Sequence, residues 1–209
     1  MTILEKISDE LVNGNSEELL SHVEEALDEG LSANEILDNG LIKGMSIVGA
    51  LFRDGEIFIP EVLISARAMT KGIERLEPLM LKSGIPPKGK LMIGTVQDDL
   101  HDIGKNLVAI MFKGAGFEII DLGVNVSAEK FVQEARKHQP DVIGLSALLT
   151  TTMMNMEKIV QLLKENGIPS IIIVGGAPVS EEYANLIHAD LFAKNAVEGV
   201  EKVLNAMAS

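Results

Sequence analysis

One short segment concentrates the side chains best suited to chemistry. The segment GTVQDDLHDIGKNL, residues 94–107, carries Asp98, Asp99 and Asp102 around His101, and the chain has only four histidines. It lies between the apolar run LMIGTV and the amphipathic run IGKNLVAIMFKGAG, which indicates a turn between a strand and a helix. An aspartate two residues before a histidine can accept one ring N–H, which orients the imidazole and improves its other nitrogen as a metal ligand. A histidine in an ordinary surface loop is the alternative interpretation.

The composition restricts which metal such a histidine could bind. The chain has no cysteine, so disulfides, thiolate metal sites and cysteine nucleophiles are excluded. Zinc needs three or four ligands, which one aspartate-oriented histidine does not supply. A metal that arrives with its own equatorial ligands needs only one ligand from the protein, and this description fits a tetrapyrrole. Gly104, three residues after His101, is a position where the backbone can come close to another group.

The first part of the chain has a helical periodicity. Apolar residues recur at three- and four-residue spacing through residues 1–83, which predicts a helical bundle. The motif SANE at 32–35 is a capping box, and Pro60 begins a long helix. Gly40 or Gly44 is expected to interrupt the helix that this capping box begins. The following segment, SGIPPKGK, contains two adjacent prolines and two glycines, so we predict a linker at 84–90.

The second part, residues 91–209, alternates apolar β-rich runs with helical ones. Strands are predicted at 91–96, 117–123, 141–147, 170–176 and 191–194. Because these runs are apolar on both faces, they indicate buried parallel strands. The predicted fold class is therefore α/β, with an N-terminal helical bundle cap followed by a five-stranded parallel Rossmann-like (flavodoxin-like) domain. Ligands of such sheets bind beyond the carboxyl ends of the strands, at the topological switch point.

Polar residues and glycines follow two further predicted strands. Ser146 and the threonines 150–152 come at the end of the third strand, and Gly175 and Gly176 come at the end of the fourth. The hydroxyl side chains could simply cap the next helix. The glycines could form a turn, or they could let a bulky flat ligand pass against the backbone. From the residues alone, both alternatives remain open.

Charge and hydropathy exclude some partners. The net charge is −13, which disfavours nucleic-acid binding because phosphate contacts need clustered lysine and arginine. Residues 1–40 carry eleven acidic side chains and the single base Lys6, which indicates either a solvated helix face or a docking surface for a basic partner. No apolar run reaches the roughly 18 residues of a membrane span, and no secretory signal is recognisable. We therefore expect a cytoplasmic protein that binds no membrane and no nucleic acid.

Three motifs, with their spacing, resemble the cobalamin-binding fingerprint Asp-x-His-x-x-Gly, Ser-x-Leu, Gly-Gly. The matching residues are Asp99-Leu-His101-Asp-Ile-Gly104, then after 41 residues Ser146-Ala-Leu148, then after 26 residues Gly175-Gly176. The segment LFRDGEIFIPEVLISARAM looks like the cap segment of the cobalamin module in methionine synthase. The whole chain resembles the free-standing corrinoid proteins of methyltransferase systems that use methylamines, methoxylated aromatics or glycine betaine.

The resemblance implies a bound cobalamin, for example methylcobalamin, or a related corrinoid. His101 would be the lower cobalt ligand in place of the cofactor's own base, in a relay with Asp99 and Thr152, where the related module has a serine. The displaced nucleotide tail would run in a slot between strands, and Phe52 and Ile59 would shield the upper face. From periodicity alone, these two side chains could equally belong to the bundle core. The implied cofactor-binding residues are Phe52, Ile59, Asp99, His101, Asp102, Ile103, Gly104, Ser146, Leu148, Thr150, Gly175 and Gly176.

The resemblance also implies a function as a methyl carrier. Cobalt(I) would accept a methyl group from a substrate-specific methyltransferase. Methylcobalt(III) would then deliver it to a second methyltransferase that acts on coenzyme M or tetrahydrofolate. A reductive activase is a further implied partner, and the linker is a plausible hinge for moving the cap.

Three other interpretations are weaker. The cobalamin-binding subunit of a mutase would share the fingerprint, but this sequence shows no catalytic barrel and the helical cap does not suit one. A cobalamin-dependent regulator would need a DNA-binding module, for which we find no segment. A flavodoxin-like or receiver-like interaction domain without cofactor would leave the joint spacing of the motifs unexplained.

Overall fold

The chain divides into two compact units, Met1–Pro86 and Pro87–Ser209. The structure is a computed structural model, and it describes residues 1–83 and 87–208. The predicted linker at 84–90 therefore lies partly outside the described residues. Its last residue, Lys90, already belongs to the first strand. Among the described residues, no helix is both long and apolar enough to cross a membrane.

The first unit is helical, as predicted. Its elements are α1 (Ile3–Asn13), α2 (Ser16–Asp28), α3 (Ala33–Ile36), a π-helical segment (Leu37–Ile42), α4 (Lys43–Arg53) and α5 (Ile59–Ser83). The capping box at the start of α3 is confirmed, because the Ser32 hydroxyl accepts from the Glu35 backbone N–H and the Glu35 carboxylate accepts from the Ser32 backbone N–H. Helix α5 begins one residue before Pro60, which lies in its first turn.

The predicted interruption near Gly40 is present as the π-helical segment. The two glycines of this region pack closely against α1. A Cβ added to Gly40 would lie 3.0 Å from Cγ2 of Ile7, and one added to Gly44 would lie 2.9 Å from the carbonyl oxygen of Ser8. Glycine at these two positions therefore lets α1 approach the backbone of its neighbours.

The acidic segment 1–40 is also part of the core of the first unit. Its apolar residues Ile7, Leu11, Leu19 and Val23 are fully buried, while most of its carboxylates are exposed. The pattern is that of amphipathic helices with a solvated acidic face. A role of this face in docking a basic partner stays a prediction.

The second unit contains the predicted parallel sheet. Its strands are β1 (Lys90–Thr95), β2 (Glu118–Asp121), β3 (Val142–Ser146), β4 (Ile171–Gly175) and β5 (Leu191–Ala193). All neighbouring pairs are parallel, and the order in the sheet is β2-β1-β3-β4-β5. This is the flavodoxin-like order, so the predicted fold class is confirmed.

Helices cover both faces of the sheet. They are α6 (Ile103–Gly114), α7 (Ala128–His138), α8 (Thr150–Met153), α9 (Asn155–Glu165), α10 (Glu181–Leu186) and α11 (Ala196–Met207). One buried apolar cluster lies on the α7 and α9 side and includes Met92, Phe131 and Ile143. The other lies on the α6 and α11 side and includes Leu91 and Phe112. Consecutive residues of β1 therefore enter opposite cores, which explains why the strand is apolar on both faces.

The sheet order creates a switch point between β1 and β3. From β1 the chain continues to β2 on one side, whereas β3 pairs with β1 on the other side. Thr95 at the end of β1 is directly paired with Ser146 at the end of β3. The loops that follow these two strands are therefore adjacent at the carboxyl edge of the sheet, where ligands of this fold bind.

Candidate functional site

Asp99 is a fully buried carboxylate just after β1, with 0% of its surface exposed. Its Oδ1 accepts hydrogen bonds from the backbone N–H of His101 (3.0 Å) and from the imidazole Nδ1 of His101 (2.7 Å). Its Oδ2 accepts from the backbone N–H of Leu148 (2.8 Å) and from the hydroxyl of Thr152 (2.6 Å). Each carboxylate oxygen therefore has two donors, which is what a buried charge requires.

The same contacts decide the protonation of Asp99. Burial on its own raises the pKa of this carboxyl group, but the hydrogen bonds from Thr152, Leu148 and His101 outweigh it and hold the pKa far below its ordinary value. Asp99 is therefore ionised at neutral pH and can only accept hydrogen bonds. It follows that the proton of the neutral His101 ring is on Nδ1, and that Nε2 keeps its lone pair.

Because Asp99 occupies Nδ1, Nε2 is the ring nitrogen of His101 that is left for a ligand. The side chain of His101 is 51% exposed although its partner Asp99 is buried. The carbonyl oxygen of His101 accepts a hydrogen bond from the hydroxyl of Thr95 (2.9 Å), so both the ring and the backbone of His101 are fixed. An imidazole oriented in this way, with Nε2 accessible, is suited to bind one metal ion from one side.

Thr152 reaches Asp99 from α8, which follows β3. Its hydroxyl oxygen lies 2.6 Å from Oδ2 of Asp99 and 3.1 Å from the carbonyl oxygen of Leu149. A hydroxyl has one hydrogen, and the carboxylate is the stronger acceptor. Thr152 does not cap α8, because it lies inside this helix and the N-cap residue is Leu149. Thr150, the first residue of α8, is exposed.

The Ser146–Leu148 segment contributes mainly through its backbone. Leu148 gives its N–H to Asp99, while its side chain is exposed. Ser146 is the last residue of β3 and is half-buried. Its carbonyl oxygen accepts from the backbone N–H of Val96 (3.0 Å), which joins the two loops of the switch point.

The two glycines at the end of β4 are both closely packed by the chain itself. Gly176 has φ 127°, and a Cβ there would lie 1.9 Å from the carbonyl oxygen of Ala147. A Cβ on Gly175 would lie 3.0 Å from the carbonyl oxygen of Ala193. The backbone conformation and close contact of Gly176 fit the turn interpretation, and Gly175 packs against the neighbouring strand β5. A close passage of a ligand along these glycines stays a prediction.

Gly104 behaves differently. A Cβ added there would meet nothing within 4 Å, and the residue is exposed in the first turn of α6. The open space lies three residues from His101, so a group from outside the chain can approach the backbone here. The neighbouring Asp102 is exposed, and its carboxylate accepts a hydrogen bond from the Asn106 side chain (3.3 Å).

Several apolar side chains at this edge of the sheet are exposed to solvent. They come from the loops and first helical turns after β1, β2 and β3, and they are Leu100, Ile103, Val124, Leu148, Leu149 and Met154. Exposed apolar surface of this kind indicates contact with a ligand or a partner. Of these residues, only Ile103 and Leu148 were predicted from the sequence. Large apolar residues in loops that otherwise contain polar residues were the available signal.

Polar residues that fix the site were also missed. Thr95 is fully buried at the end of β1, and a threonine in an otherwise apolar strand was a detectable signal. Asn155 donates from its side chain to the carbonyl oxygen of Gln97 (2.7 Å). Tyr183 donates from its hydroxyl to the carbonyl oxygen of Met153 (2.8 Å) and so ties α10 to the helix that carries Thr152.

The predicted shielding residues lie in the first unit. Phe52, near the end of α4, is half-buried. Ile59, the first residue of α5, is 43% exposed, so the alternative of an ordinary core residue does not fit it. Phe58, which the sequence analysis did not consider, is more exposed than either.

The donor set suits a metal that brings most of its own ligands. In residues 1–83 and 87–208, no three His, Cys, Asp or Glu side chains come together as a possible metal site. What the switch point offers is one imidazole nitrogen, an apolar surround and an open glycine position. These features would fit a corrinoid, whose metal would take one ligand from the protein and whose ring would contact the apolar side chains.

Protein families and known proteins with similar sequences are named for binding B12 or a corrinoid. Two family models, both described as a B12 binding domain, match residues 3–77 and 89–203. A corrinoid protein of Desulfitobacterium hafniense is 39% identical over 206 residues, covering 96% of this chain and 95% of that protein. Dimethylamine corrinoid protein 1 of Methanosarcina acetivorans is 40% identical over 209 residues, covering 99% of this chain and 98% of that protein.

Solved structures with a similar fold also cover residues of both units. The crystal structure of the methanol:cobalamin methyltransferase complex from Methanosarcina barkeri matches with a TM-score of 0.86 and 28% identity, covering 99% of this chain and 80% of the matched chain. The resemblance noted from the fingerprint is thus confirmed along nearly the whole sequence, and the chain belongs to the family of B12-binding corrinoid proteins.

Proposed function

We propose that this protein is a corrinoid methyl carrier, which accepts a methyl group from a substrate-specific methyltransferase and delivers it to a second methyltransferase. The observation that carries the proposal is the Asp99–His101 pair at the switch point, with Thr152 as the third member and Nε2 of His101 accessible. The curated relatives named as dimethylamine and trimethylamine corrinoid proteins, at about the same length, support it.

The three residues of the relay, Asp99, His101 and Thr152, would hold and tune the protein's ligand to cobalt. When bound, the corrinoid supplies a cobalt centre that takes up and releases a methyl group. His101 would hold cobalt through Nε2, and it would take a proton at that atom when it leaves. The Asp99 carboxylate would hold the ring in place during this step, because its Oδ1 lies 2.7 Å from Nδ1. The Thr152 hydroxyl and the Leu148 N–H in turn hold the other oxygen of Asp99, Oδ2.

The remaining predicted contacts stay part of the proposal. Asp102, Ile103 and Gly104 would contact the lower face of the corrin ring beside His101. The nucleotide tail would run near a second group of residues, namely Ser146, Leu148, Thr150, Gly175 and Gly176. The exposure of the apolar side chains and of Gly104 supports the first assignment. The second rests on the fingerprint and on the position of these residues at the carboxyl ends of β3 and β4.

Methyltransferases are the proposed partners. The matching chain in the methanol:cobalamin methyltransferase complex supports a substrate-specific methyltransferase. The second methyltransferase, acting on coenzyme M or tetrahydrofolate, and a reductive activase remain proposals, as does the cytoplasmic location. The proposed hinge in SGIPPKGK includes residues 84–86, outside the described part of the chain.

The proposed function is tested by reconstitution and transfer. We expect the purified protein to retain hydroxocobalamin through gel filtration, and its reduced form to be methylated by methyl iodide. Addition of a corrinoid-dependent methyltransferase with coenzyme M or with tetrahydrofolate should then methylate one of these acceptors in proportion to the protein. Failure to retain cobalamin would reject the proposal. Retention without transfer to either acceptor would favour a regulator or a mutase subunit.

A second prediction concerns the shielding residues. Ile59→Ala is expected to accelerate photolysis of bound methylcobalamin, because a smaller side chain over the upper face lets water enter and radicals escape. Since Ile59 is exposed, the substitution should cost at most about 1 kcal/mol of stability. Photolysis is measured by the change in the absorption spectrum under constant illumination.

Ile64→Ala is the matched control. Ile64 lies on the same helix and is 47% exposed, but a five-residue separation turns it about 140° away from Ile59 around the helix axis. Its photolysis rate should equal that of the parent. Phe52→Ala is expected to act like Ile59→Ala, with a larger loss of stability that stays below the roughly 3–5 kcal/mol of a fully buried ring. Equal rates for all four proteins would remove Phe52 and Ile59 from the upper face.

A further inference from the structure

We propose that Asn125 is a positioning residue that sets where His101 presents Nε2, by clasping the backbone of Asp98 and Asp99 from the neighbouring loop. The inference rests on the proposed function for its consequence at cobalt. Its geometric part concerns contacts of the chain alone. Asn125 lies after β2, outside every motif that the sequence analysis singled out.

The clasp joins the two loops through an unusual pair of backbone conformations. Asp98 has φ 66° and Asn125 has φ 55°, so both lie in the left-handed region that few side chains other than Asn and Asp adopt readily. The side-chain Oδ1 of Asn125 accepts from the backbone N–H of Asp98 (2.8 Å). The backbone N–H of Asn125 donates to the carbonyl oxygen of Asp99 (2.9 Å). Asn125 therefore holds the backbone on both sides of the Asp99 side chain, at the N–H of Asp98 and at the carbonyl oxygen of Asp99.

The loop that carries Asn125 is itself fixed to the sheet. The backbone N–H of Thr95 donates to the carbonyl oxygen of Gly123, and the backbone N–H of Val126 donates to the carbonyl oxygen of Thr95, both at 3.0 Å. Two bonds to the last residue of β1 therefore bracket Asn125 in the sequence. Through Asn125, the backbone at Asp98 and Asp99 is therefore held to a loop that is itself bonded to the sheet.

A buried lysine anchors the start of the same loop. Lys105 is 2% exposed, and its Nζ donates to Oδ2 of Asp121 (2.5 Å) and to the side chain of Asn106 (2.7 Å). The other oxygen of Asp121 accepts from the backbone N–H of Gly123 (2.8 Å). A buried ammonium with a carboxylate partner is costly to move. The end of β2 is therefore bonded to the first turn of α6, which follows His101. The loop after β2 is bonded through Asn125 to the residues that precede His101.

Asn125 acts on the His101 ring indirectly, through Asp99. Asn125 holds the backbone of Asp98 and Asp99, and the Asp99 carboxylate in turn orients the His101 ring through a 2.7 Å hydrogen bond. If the clasp is lost, the N–H of Asp98 loses its acceptor and the Asp99 backbone gains freedom. The distribution of Nε2 positions would then widen, and His101 would hold cobalt less tightly.

The test uses a substitution that keeps the backbone conformation. Asn125→Gly accepts φ 55° without strain but lacks Oδ1, whereas Asn125→Asp retains both the acceptor and the tolerance of this conformation. In the cobalt(II) form, the ratio of imidazole-ligated to unligated cobalt is measured by electron paramagnetic resonance. We expect Asn125→Gly to lower this ratio between about two- and tenfold, as for the loss of one hydrogen bond. Asn125→Asp should restore most of it.

A control and a measurement without cofactor complete the test. Gln139 also has a left-handed backbone, φ 49°, but lies at the end of α7, and Gln139→Gly should leave the ratio unchanged. In the protein without corrinoid, the exchange of the His101 Nδ1 proton with water, followed by NMR, should be faster in Asn125→Gly than in the parent.

The outcomes separate this inference from the proposed function. An unchanged exchange rate together with an unchanged ligation ratio would overturn the role of Asn125, even if methyl transfer is observed. Faster exchange in a protein that retains no cobalamin would uphold the clasp while rejecting the proposed function. A lowered ratio that Asn125→Asp does not restore would assign the effect to the backbone and overturn the role of Oδ1.

Discussion

Replacing His101 with alanine is expected to remove protein ligation of cobalt completely. The imidazole Nε2 is the proposed cobalt ligand, because Nδ1 is occupied by the ionised Asp99 and half of the His101 side chain is exposed. In the parent, the cobalt(II) form should show hyperfine coupling to a nitrogen of the protein. In His101→Ala this coupling should disappear, and methyl transfer should fall with it. The fold should survive, because the lost contact is one hydrogen bond of a half-exposed side chain, worth about 1–2 kcal/mol.

The matched control for this change is His138→Ala. His138 also belongs to the second unit and is also paired with a carboxylate, Glu134, at 3.1 Å. It is the last residue of α7 and belongs to neither of the two loops that form the switch point. Its replacement should leave the nitrogen coupling intact. Coupling to a protein imidazole that persists in His101→Ala, in samples prepared with a 15N-histidine label to identify the nucleus, would contradict the assignment of the lower ligand.

The fold was predictable because it depends on patterns that are local in the sequence. Each strand is a short run apolar on both faces, and each alternates with a helical pattern, so a parallel sheet with two covered faces was the expected solution. Strand limits were correct to within two residues; for example, β2 is Glu118–Asp121 where 117–123 was expected. The motif residues then fall at the carboxyl edge because parallel strands all end there.

Parts of the site were not predictable because they depend on contacts between distant segments. From the sequence, a turn and a ligand contact were both open for Gly176, and only the register of β3 beside β4 brings the Ala147 carbonyl oxygen against it. Asn125 carries no signal in the sequence, since its role depends on the left-handed backbone of Asp98 in another loop. The exposure of Phe58 was similarly hidden, because helical periodicity gives a residue's face but not what covers that face.

Asp99→Asn is expected to have the second large effect, although the new side chain has nearly the same shape. The carboxylate accepts four hydrogen bonds, two on each oxygen. An amide has only one acceptor oxygen, and its nitrogen can only donate. Whichever way the amide is turned, two of the four donors therefore lose their acceptor. The expected loss of unfolding free energy is about 2–4 kcal/mol, because the site is buried and water cannot replace the lost partner.

Each orientation of the amide has a distinct consequence for His101. If the amide oxygen faces His101, the ring keeps its proton on Nδ1, but the Leu148 N–H and the Thr152 hydroxyl face an NH₂ group. If the oxygen faces Leu148 and Thr152, the NH₂ group donates to Nδ1, and the ring proton moves to Nε2. That second tautomer has no lone pair for cobalt. We expect the ratio of imidazole-ligated to unligated cobalt to fall about 10–100-fold, the range for loss of a partner that orients a metal ligand.

A comparison at Thr152 separates charge from geometry. Thr152→Ser keeps a hydroxyl that can donate to Asp99, while Thr152→Val keeps the shape and removes the donor. Thr152→Ser should behave like the parent. Thr152→Val should keep the Nδ1 tautomer and imidazole ligation, because the Asp99 charge remains. If Asp99→Asn and Thr152→Val gave equal ligation ratios, the charge of Asp99 would not be what selects the tautomer.

The pH dependence of stability gives an independent measure of the same charge in the protein without corrinoid. The pKa of Asp99 is lowered in the folded protein, so its ionisation contributes stability that is fully present above the unfolded pKa of about 3.9 and is lost as the pH falls through the folded pKa. In urea unfolding between pH 6 and pH 3, the parent should therefore lose more free energy of unfolding than Asp99→Asn, and the difference between them should narrow on acidification. All other carboxylates are common to both proteins, so their titration cancels in the comparison. A difference that stays constant over this range would mean that Asp99 has the same pKa in the folded and unfolded states, and that its hydrogen bonds to Thr152, Leu148 and His101 do not stabilise the charged form.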